Sequence, residues 1–317
     1  MNTTPTLNAR YQKIQDLLDR NGNRCTPEEF RQIVNVVFHR YESAQYDELH
    51  RCMWESLPVI FQHLANDSTP HLKSNSRLLD VGCGTGLSTA LLLSTPVGPR
   101  IGSGTFVDTS QEMIEVARRR ARQWALQCRF EVGTISDLRD RFDLILVSSV
   151  MHHIPDLSAF LKEVADRLSP GGLFVHLQDP NGDADSAVIN LRKQQLGEQE
   201  SSKRLSLFDR VKMRLRPQDR YIHKTNQELI RRGIISSPLA DEEIWAVTDI
   251  HDDDRGISLQ EIGQALDALM TPIRTSSYAF FGKMASELPV NLRTEEARLL
   301  ESGDMNGTIM CGVWSKS

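Results

Sequence analysis

The sequence predicts an α/β fold, a seven-stranded, mostly parallel, doubly wound sheet. Two observations lead to this prediction. Short apolar runs alternate with amphipathic helical patterns between Arg77 and Leu177, which is the order of parallel strands joined by right-handed crossovers. The apolar run Leu78–Val81 also leads into a glycine-rich turn and then a helical pattern, as many nucleotide-binding α/β units do.

The composition is that of an ordinary globular protein. Of the 317 residues, 39% are hydrophobic and 25% are charged, and the formal net charge of −5 argues against general nucleic-acid affinity. No apolar run reaches the ~20 residues of a membrane span, and the N-terminus shows no secretory signal. The five cysteines are scattered without a C-x-x-C pair, which indicates reduced thiols. We therefore expect a cytoplasmic protein that binds neither a membrane nor zinc.

Residues 1–75 predict an N-terminal helical cover. Apolar residues recur at helical spacing from Tyr11 to Leu18, and Thr26 begins a second helix with a capping signal. A third segment runs from Tyr46 to Leu64 and stops at the turn-rich residues 66–70.

The glycine-rich turn spaces its glycines as G-x-G-x-G, at Gly82, Gly84 and Gly86. A dinucleotide fingerprint would read G-x-G-x-x-G and place a pyrophosphate on the helix N-terminus. Here Asp80 ends the preceding strand, where its carboxylate would repel a phosphate and attract an ammonium or sulfonium group. The turn therefore predicts a cationic nucleoside without phosphates.

The next strand, Gly104–Asp108, ends in a second acid. Asp108 follows the glycines at about the distance of ribose-binding carboxylates, so we expect it to accept hydrogen bonds from both ribose hydroxyls. A helical stripe from Met113 to Ala125 comes next. Three further strands are predicted at residues 129–132, 142–147 and 173–177, and a helix at residues 156–168 precedes the last of them.

Five blocks in this order resemble the class I S-adenosylmethionine-dependent methyltransferases, which have a Rossmann-like sheet. The blocks are residues 80–86, 108–113, 133–138, 142–156 and 168–173, about a third of the chain. The resemblance implies S-adenosyl-L-methionine as cofactor and S-adenosyl-L-homocysteine as product. The cofactor-binding residues that it implies are Asp80, Gly82, Cys83, Gly84, Gly86, Asp108, Thr109, Met113, Thr134, Ile135, Ser148 and Tyr46.

Two of these assignments, Tyr46 and Thr134, leave an alternative open. Tyr46 and Asp47 resemble the Tyr-Asp pair that many members carry before the glycine loop, but Tyr46 could equally be a core aromatic. The family often has an acid where this chain has Thr134, and Asp137 either compensates or caps a helix.

Residues 150–156 are similar to the Leu-His-Asp region of plant-type small-molecule O-methyltransferases, whose histidine is a general base. On that register His152 is the candidate base and His153 the second candidate catalytic residue. Alternatively, no base is needed, and one ring of the pair only packs or has an orienting role.

The resemblance favours no metal site, because serines end the fourth strand where metal-dependent members carry Asp. Asp179 and Gln178 are candidate substrate contacts, but the run Asp179-Pro180-Asn181-Gly182 is more typical of a turn. An acidic run at residues 249–254 does not fit a calcium loop and indicates a solvated turn.

Residues 183–272 predict a helical insertion that covers the substrate. The sheet domain would comprise residues 76–182 and 273–317, with a sixth strand at residues 277–281 and a seventh at residues 307–314. In the resembled family the seventh strand is antiparallel to the others.

Together these features predict methyl transfer to an oxygen or nitrogen atom of a small molecule, with secondary metabolites among the candidates. An RNA or protein substrate, held by the basic residues between Arg192 and Arg232, is the first alternative, although a solvated basic face is the preferred interpretation. A non-catalytic cofactor-binding regulatory module is the second. A homodimer remains open.

Overall fold

The computed structural model describes residues 5–43, 45–201, 218–248 and 256–317. Seven strands form one sheet in the order β3-β2-β1-β4-β5-β7-β6. The strands are β1 (Ser76–Val81), β2 (Ile101–Asp108), β3 (Gln127–Val132), β4 (Phe142–Ser148), β5 (Leu168–Pro180), β6 (Met270–Tyr278) and β7 (Ile309–Lys316). Strands β1 to β5 pair in parallel, and β7 is antiparallel to both of its neighbours, β5 and β6. The predicted fold class is confirmed.

Twelve helices are described, and some of them cover the two faces of this sheet. The twelve helices are α1 (Pro5–Asn21), α2 (Pro27–Glu42), α3 (Tyr46–Leu49), α4 (Arg51–Ser68), α5 (Leu87–Leu93), α6 (Gln111–Arg120), α7 (Leu157–Arg167), α8 (Ser186–Ser201), α9 (Gln218–Arg231), α10 (Asp241–Thr248), α11 (Leu259–Leu266) and α12 (Val290–Ser302). No described helix is both long and apolar enough to span a membrane.

Two hydrophobic cores lie on opposite faces of the sheet, because successive strand residues point in opposite directions. Leu78 of β1 belongs to the core shared with α4, α5, α6 and α12. Its neighbour Leu79 belongs to the core shared with α7 and α11. Residues of both cores are almost fully buried, so the sheet is doubly wound as predicted.

A third core lies apart from the sheet and joins two distant parts of the chain. Helices α1 and α2 pack there against α9 and α10, and we call these four helices the helical cap. Polar contacts also join these two parts of the chain. Arg20 forms two hydrogen bonds with Glu243, and the side chain of Asn23 donates to the carbonyl oxygen of Ile234 at 2.6 Å.

Several predicted boundaries were wrong. The sixth strand begins at Met270 and ends at Tyr278, rather than spanning residues 277–281. The apolar residues Phe280 and Phe281 are buried in the core after the strand. Ala279 has φ 59°, and the carboxylate of Glu296 accepts hydrogen bonds from the backbone N–H groups of Ala279 and Phe280. An apolar loop packed into the core gives the same local signal as a buried strand.

Other corrections are smaller. The predicted turn that starts at Asp179 is wrong, since Asp179 and Pro180 pair with β7 as part of β5. The third cover segment is interrupted at His50, so that α3 and α4 are separate helices. Helix α6 ends at Arg120 and a 3₁₀ turn follows, which shortens the predicted stripe.

The insertion and its charges are described only in part. The acidic run at residues 249–254 and the basic residues Lys203, Arg204, Arg210, Lys212, Arg214 and Arg216 lie outside the described residues. Arg192 pairs with Asp304, and Arg231 and Arg232 both pair with Glu228. These described cations are thus in ion pairs within the chain. The division of the chain at residues 75, 182 and 272 stays a prediction.

Candidate functional site

The glycine loop follows β1 and turns sharply into α5. Gly82, Gly84 and Gly86 have φ values of 65°, 52° and 76°, a region that residues with a side chain rarely adopt. A Cβ atom added to Gly82 would lie 2.4 Å from Cγ2 of Val150, so the loop packs tightly against the segment after β4. A Cβ atom on Gly84 would meet nothing within 4 Å and therefore faces open space.

Asp80 lies beneath this loop with its side chain almost fully buried. Thr89 donates a hydrogen bond to Oδ2 at 2.6 Å, while Oδ1 has no hydrogen-bond partner among the described residues. Burial raises the pKa of Asp80 to about 7, despite the opposing effect of Thr89. A buried carboxylate with an unsatisfied oxygen is suited to a positively charged ligand group.

Asp108 ends the neighbouring strand β2 and faces the same loop. Its Oδ2 accepts a hydrogen bond from the backbone N–H of Gly84, and its Oδ1 accepts one from Ser110, both at 2.8 Å. Burial raises the pKa of Asp108, although these two hydrogen bonds act in the opposite direction. Asp108 thereby fixes the glycine loop to the tip of β2, and each of its oxygens can accept a further hydrogen bond.

A short strap crosses over the loop at residues 45–50. Asp47 accepts a hydrogen bond from the hydroxyl of Thr85 at 2.9 Å and pairs with Arg120. The guanidinium of Arg120 also donates to the carbonyl oxygen of Thr85 and lies over the ring of Trp54. The strap is thus tied to the loop and to α6.

The strap closes a cavity of about 30 Å³ above the loop. Tyr46 lines it together with Gly82, Cys83 and Gly84, and Ser148 and Ser149 line the side next to β4. Ser88 donates a hydrogen bond to Ser148 at 2.8 Å, which joins α5 to the tip of β4.

The backbone turns unusually at the end of β4. Ser149 has φ 59°, and its N–H donates to the carbonyl oxygen of Leu177 in β5. Non-glycine residues with positive φ are uncommon and are frequent at functional sites. The turn leads into the 3₁₀ segment Met151–His153, which carries both candidate catalytic histidines.

His152 is held by the buried carboxylate of Asp179. Nδ1 of His152 lies 2.8 Å from Oδ1 of Asp179, which also accepts the backbone N–H of His152 at 3.0 Å. Because a carboxylate only accepts hydrogen bonds, Nδ1 carries the proton and the lone pair of the neutral ring lies on Nε2. The side chain of Asp179 has no exposed surface, whereas 12% of that of His152 is exposed. The pair has the arrangement of a general base with its orienting acid.

His153 has a different environment. Its Nδ1 donates to the carbonyl oxygen of Thr248 in the cap, and its own carbonyl oxygen accepts from Arg31 in α2. Burial lowers the pKa of His153 well below its usual value, and the nearby His152 and His39 act in the same direction. His153 therefore connects the cap to the sheet domain and stays neutral there.

A second histidine cluster joins α2 to the strap. Glu42 is buried and accepts hydrogen bonds from His39 at 3.0 Å and from His50 at 2.9 Å. Burial alone would raise the pKa of Glu42, but the two histidines outweigh it and lower the pKa to about 2. The ring of Tyr46 contacts His50, so this cluster supports the strap.

The larger cavity, of about 380 Å³, lies at the outer edge of the sheet. Its sheet side consists of residues at the tips of β2 and β3, and its other side belongs to the cap. The lining residues are Gln32, Ile33, Val36, Thr109, Val132, Gly133, Thr134, Asp137 and Arg232.

The remaining predicted cofactor residues differ in exposure. Thr134 and Asp137 form a capping box at a 3₁₀ turn. The carboxylate of Asp137 accepts a hydrogen bond from the backbone N–H of Thr134 at 2.8 Å. These contacts are those of the helix-cap interpretation of Asp137. Ile135 and Met113 are buried, while Thr109 is exposed at the cavity. Ile135 is part of the hydrophobic core rather than of the cavity lining.

These residues fit S-adenosylmethionine. The unsatisfied Oδ1 of Asp80 suits a cation, and Asp108 suits a ribose. Gly84, whose backbone N–H binds Asp108, faces open space. Within the described ranges, no three His, Cys, Asp or Glu side chains form a group that could hold a metal ion.

Comparison with known proteins agrees with this geometry. The model of the methyltransferase domain family matches residues 78–172, which run from β1 into β5. Over this segment the chain is therefore similar to methyltransferase domains, as the five sequence blocks predicted.

Named relatives are similar over part of their length. A ubiquinone biosynthesis O-methyltransferase of Paramagnetospirillum magneticum is 30% identical over 159 residues, which are 48% of this chain and 62% of the relative. The corresponding protein of Azorhizobium caulinodans is 31% identical over 168 residues, 46% of this chain and 64% of the relative. The chain thus spans less than two thirds of these relatives. The solved structure of the plantazolicin methyltransferase BpumL with SAH aligns at 14% identity and a TM-score of 0.47, covering 98% of this chain and 99% of that one.

The candidate site also contains residues that sequence reasoning did not assign. Thr85 and Arg120 fasten the strap, and Glu42 supports it. Asp179 was considered as a substrate contact but not as the partner of His152, which is 27 residues away. The signal for the strap in the sequence was the resemblance of Tyr46-Asp47 to the family's Tyr-Asp pair, and Asp47 makes the contacts with Thr85 and Arg120. Nothing local in the sequence links Arg232 to the cavity.

Proposed function

We propose that this protein is an enzyme that transfers a methyl group from S-adenosylmethionine to a hydroxyl oxygen of a small molecule. The observation that carries the proposal is the pair of His152 and Asp179, which lies beside the glycine loop at the tips of β4 and β5. Ligands of open α/β sheets bind at these carboxyl ends. The names of the ubiquinone biosynthesis relatives support oxygen as the acceptor atom.

S-adenosylmethionine would supply an activated methyl group. Asp80 and Asp108 would hold the nucleoside, with Gly82 to Gly86 giving the backbone close access. Asp179 keeps the lone pair of His152 on Nε2, which can then accept the proton of the acceptor hydroxyl. The ionised Asp179 would stabilise the imidazolium that forms.

Titration calorimetry tests the cofactor. The purified chain should bind S-adenosylmethionine and S-adenosylhomocysteine and should not bind NADH. In the Asp108→Ala variant the affinity should fall by at least about tenfold, as expected for loss of hydrogen bonds to a charged group. Uptake of NADH with no response to S-adenosylmethionine would refute the proposal.

The catalytic role of His152 is tested with a panel of small phenols and enols, amines, and RNA, using a radiolabelled methyl donor. Activity is expected with hydroxylated compounds. His152→Ala should lower kcat by about 10²- to 10⁴-fold while the affinity for S-adenosylhomocysteine is unchanged. His71→Ala, at an exposed histidine, is the control and should retain full activity. Full activity of His152→Ala would remove His152 from the mechanism, and methylation of RNA alone would favour a nucleic-acid substrate.

A further inference from the structure

The larger cavity is built from two units that are far apart in the sequence. Thr109, Val132, Gly133, Thr134 and Asp137 of the sheet domain form one wall. The facing wall comes entirely from the helical cap, with Gln32, Ile33 and Val36 on α2 and Arg232 directly after α9. A ligand in this cavity would therefore touch both units.

The position of the cavity fits the base of the nucleoside. The sheet order places the glycine loop after β1, then the tip of β2 with Asp108, and then the tip of β3. A nucleoside whose ribose lies at Asp108 and whose cationic end lies over the loop must extend its base toward β3. The cavity begins there, at Thr109 and Thr134.

The lining also suits a planar aromatic group. Val132 is 50% exposed and lines the cavity. On the opposite side, Ile33 and Val36 are three residues apart on α2 and both line the cavity. Ile33 is partly buried and also packs against the core of the cap. The ring would thus have apolar side chains on both sides, and polar groups at its edge.

Arg232 is the cation at this edge. Glu228 accepts a hydrogen bond from its Nε at 2.8 Å, which orients the guanidinium on the cap side of the cavity. A planar guanidinium can stack on a purine or donate hydrogen bonds to its ring nitrogens. Arg231 also binds Glu228, through Nε and Nη2, but it does not line the cavity.

We propose that the helical cap forms half of the adenine site, with Arg232 as a cofactor-binding residue contributed by the insertion after β5. The inference rests on S-adenosylmethionine as the cofactor. The cofactor would then bridge the helical cap and the sheet domain. Cofactor binding and docking of the cap on the sheet domain then strengthen each other by the same factor.

The test compares Arg232→Ala with Arg231→Ala by titration calorimetry with S-adenosylhomocysteine. Both variants lose one ion pair to Glu228, so they are matched in that respect. We expect Kd to rise at least about fivefold in Arg232→Ala and less than twofold in Arg231→Ala. Equal Kd values in the two variants would overturn the inference and leave the proposed function intact. Failure of the unmodified protein to bind S-adenosylhomocysteine would overturn both.

Hydrogen exchange gives a second measurement that does not depend on these arginines. On addition of S-adenosylhomocysteine, amides of α2 and α9 should become protected along with those of the glycine loop. Protection confined to the sheet domain would contradict a cap that forms part of the site.

Discussion

The two ends of the proposed cofactor site are built in different ways. At the loop end, one continuous stretch from Asp80 to Gly86 supplies the acid and the positive-φ turn, and Asp108 secures it. At the cap end, the larger cavity has the tips of β2 and β3 on one side and α2 on the other. Its lining needs α2 and Arg232, which are about 200 residues apart in the sequence. A local motif thus defines one end, and the docking of separate units defines the other.

Substitution of Gly82 should have the largest effect at the loop end. In Gly82→Ala the new Cβ atom would lie 2.4 Å from Val150 at a φ of 65°, so strain and steric overlap combine. The free energy of unfolding should fall by about 2–4 kcal/mol, with loss of cofactor binding. Chemical denaturation and calorimetry measure the two quantities.

Gly171→Ala is the matched control for this prediction. Gly171 has φ 72°, but its Cβ atom would meet nothing within 4 Å. Only the conformational penalty of about 1 kcal/mol should appear, with cofactor affinity unchanged. Equal losses of stability in Gly82→Ala and Gly171→Ala would mean that packing against Val150 is unimportant.

Asp80 gives the loop end a pH dependence. Because its folded pKa of about 7 exceeds an unfolded value of about 4, the folded state binds more protons between these values. The ligand-free protein should therefore lose stability, on the order of 3 kcal/mol, as pH rises from about 4 to about 7. Asp80→Asn should abolish this slope and weaken S-adenosylmethionine binding by at least about tenfold.

Unfolding in urea at several pH values checks this prediction. Asp140→Asn, at an exposed carboxylate, should keep the slope of the unmodified protein. If Asp80→Asn also kept the dependence of stability on pH, the buried carboxylate of Asp80 would not be the source of that dependence.

Glu42 joins α2 of the cap to the strap over the glycine loop. A substitution at Glu42 therefore tests the connection between the cap end and the loop end of the proposed cofactor site. The folded pKa of Glu42, about 2, lies below the unfolded value of about 4, so its stabilisation is present above pH 4 and is lost as pH falls toward 2. Glu42→Gln should cost about 1–2 kcal/mol of unfolding free energy at pH 5.5 and much less at pH 3. A pH-independent difference would show that the ionised carboxylate is not what matters.

The smallest effect is expected inside the cap, at the exposed pair of Arg20 and Glu243. Solvent screens such pairs, and holding two long side chains in place opposes the attraction. Arg20→Ala should leave Tm and cofactor affinity essentially unchanged. A clear loss of cofactor affinity would show that the Arg20–Glu243 pair affects the cap end of the proposed cofactor site.

The features that the sequence determined depend on residues close together in the chain. The apolar runs Leu78–Val81 and Phe142–Val147 predicted buried strands, and the three glycines at 82, 84 and 86 predicted the tight turn with positive φ angles that the structure has. The fold class followed from these patterns, whereas the order of the strands in the sheet is known from the structure. The strand at β6 was misplaced because its residues Met270–Tyr278 are largely polar on an edge, while the apolar Phe280 and Phe281 serve the core without joining the sheet.

Only the tertiary structure decided which distant residues meet. Asp179 reaches His152 because β4 and β5 are neighbours and a register shift after Leu177 alters the course of β5. Arg232 reaches the cavity because α2 and α9 bury their apolar faces against each other. Periodicity shows that a helix has an apolar face, but the partner of that face is set by shape and packing across the whole molecule.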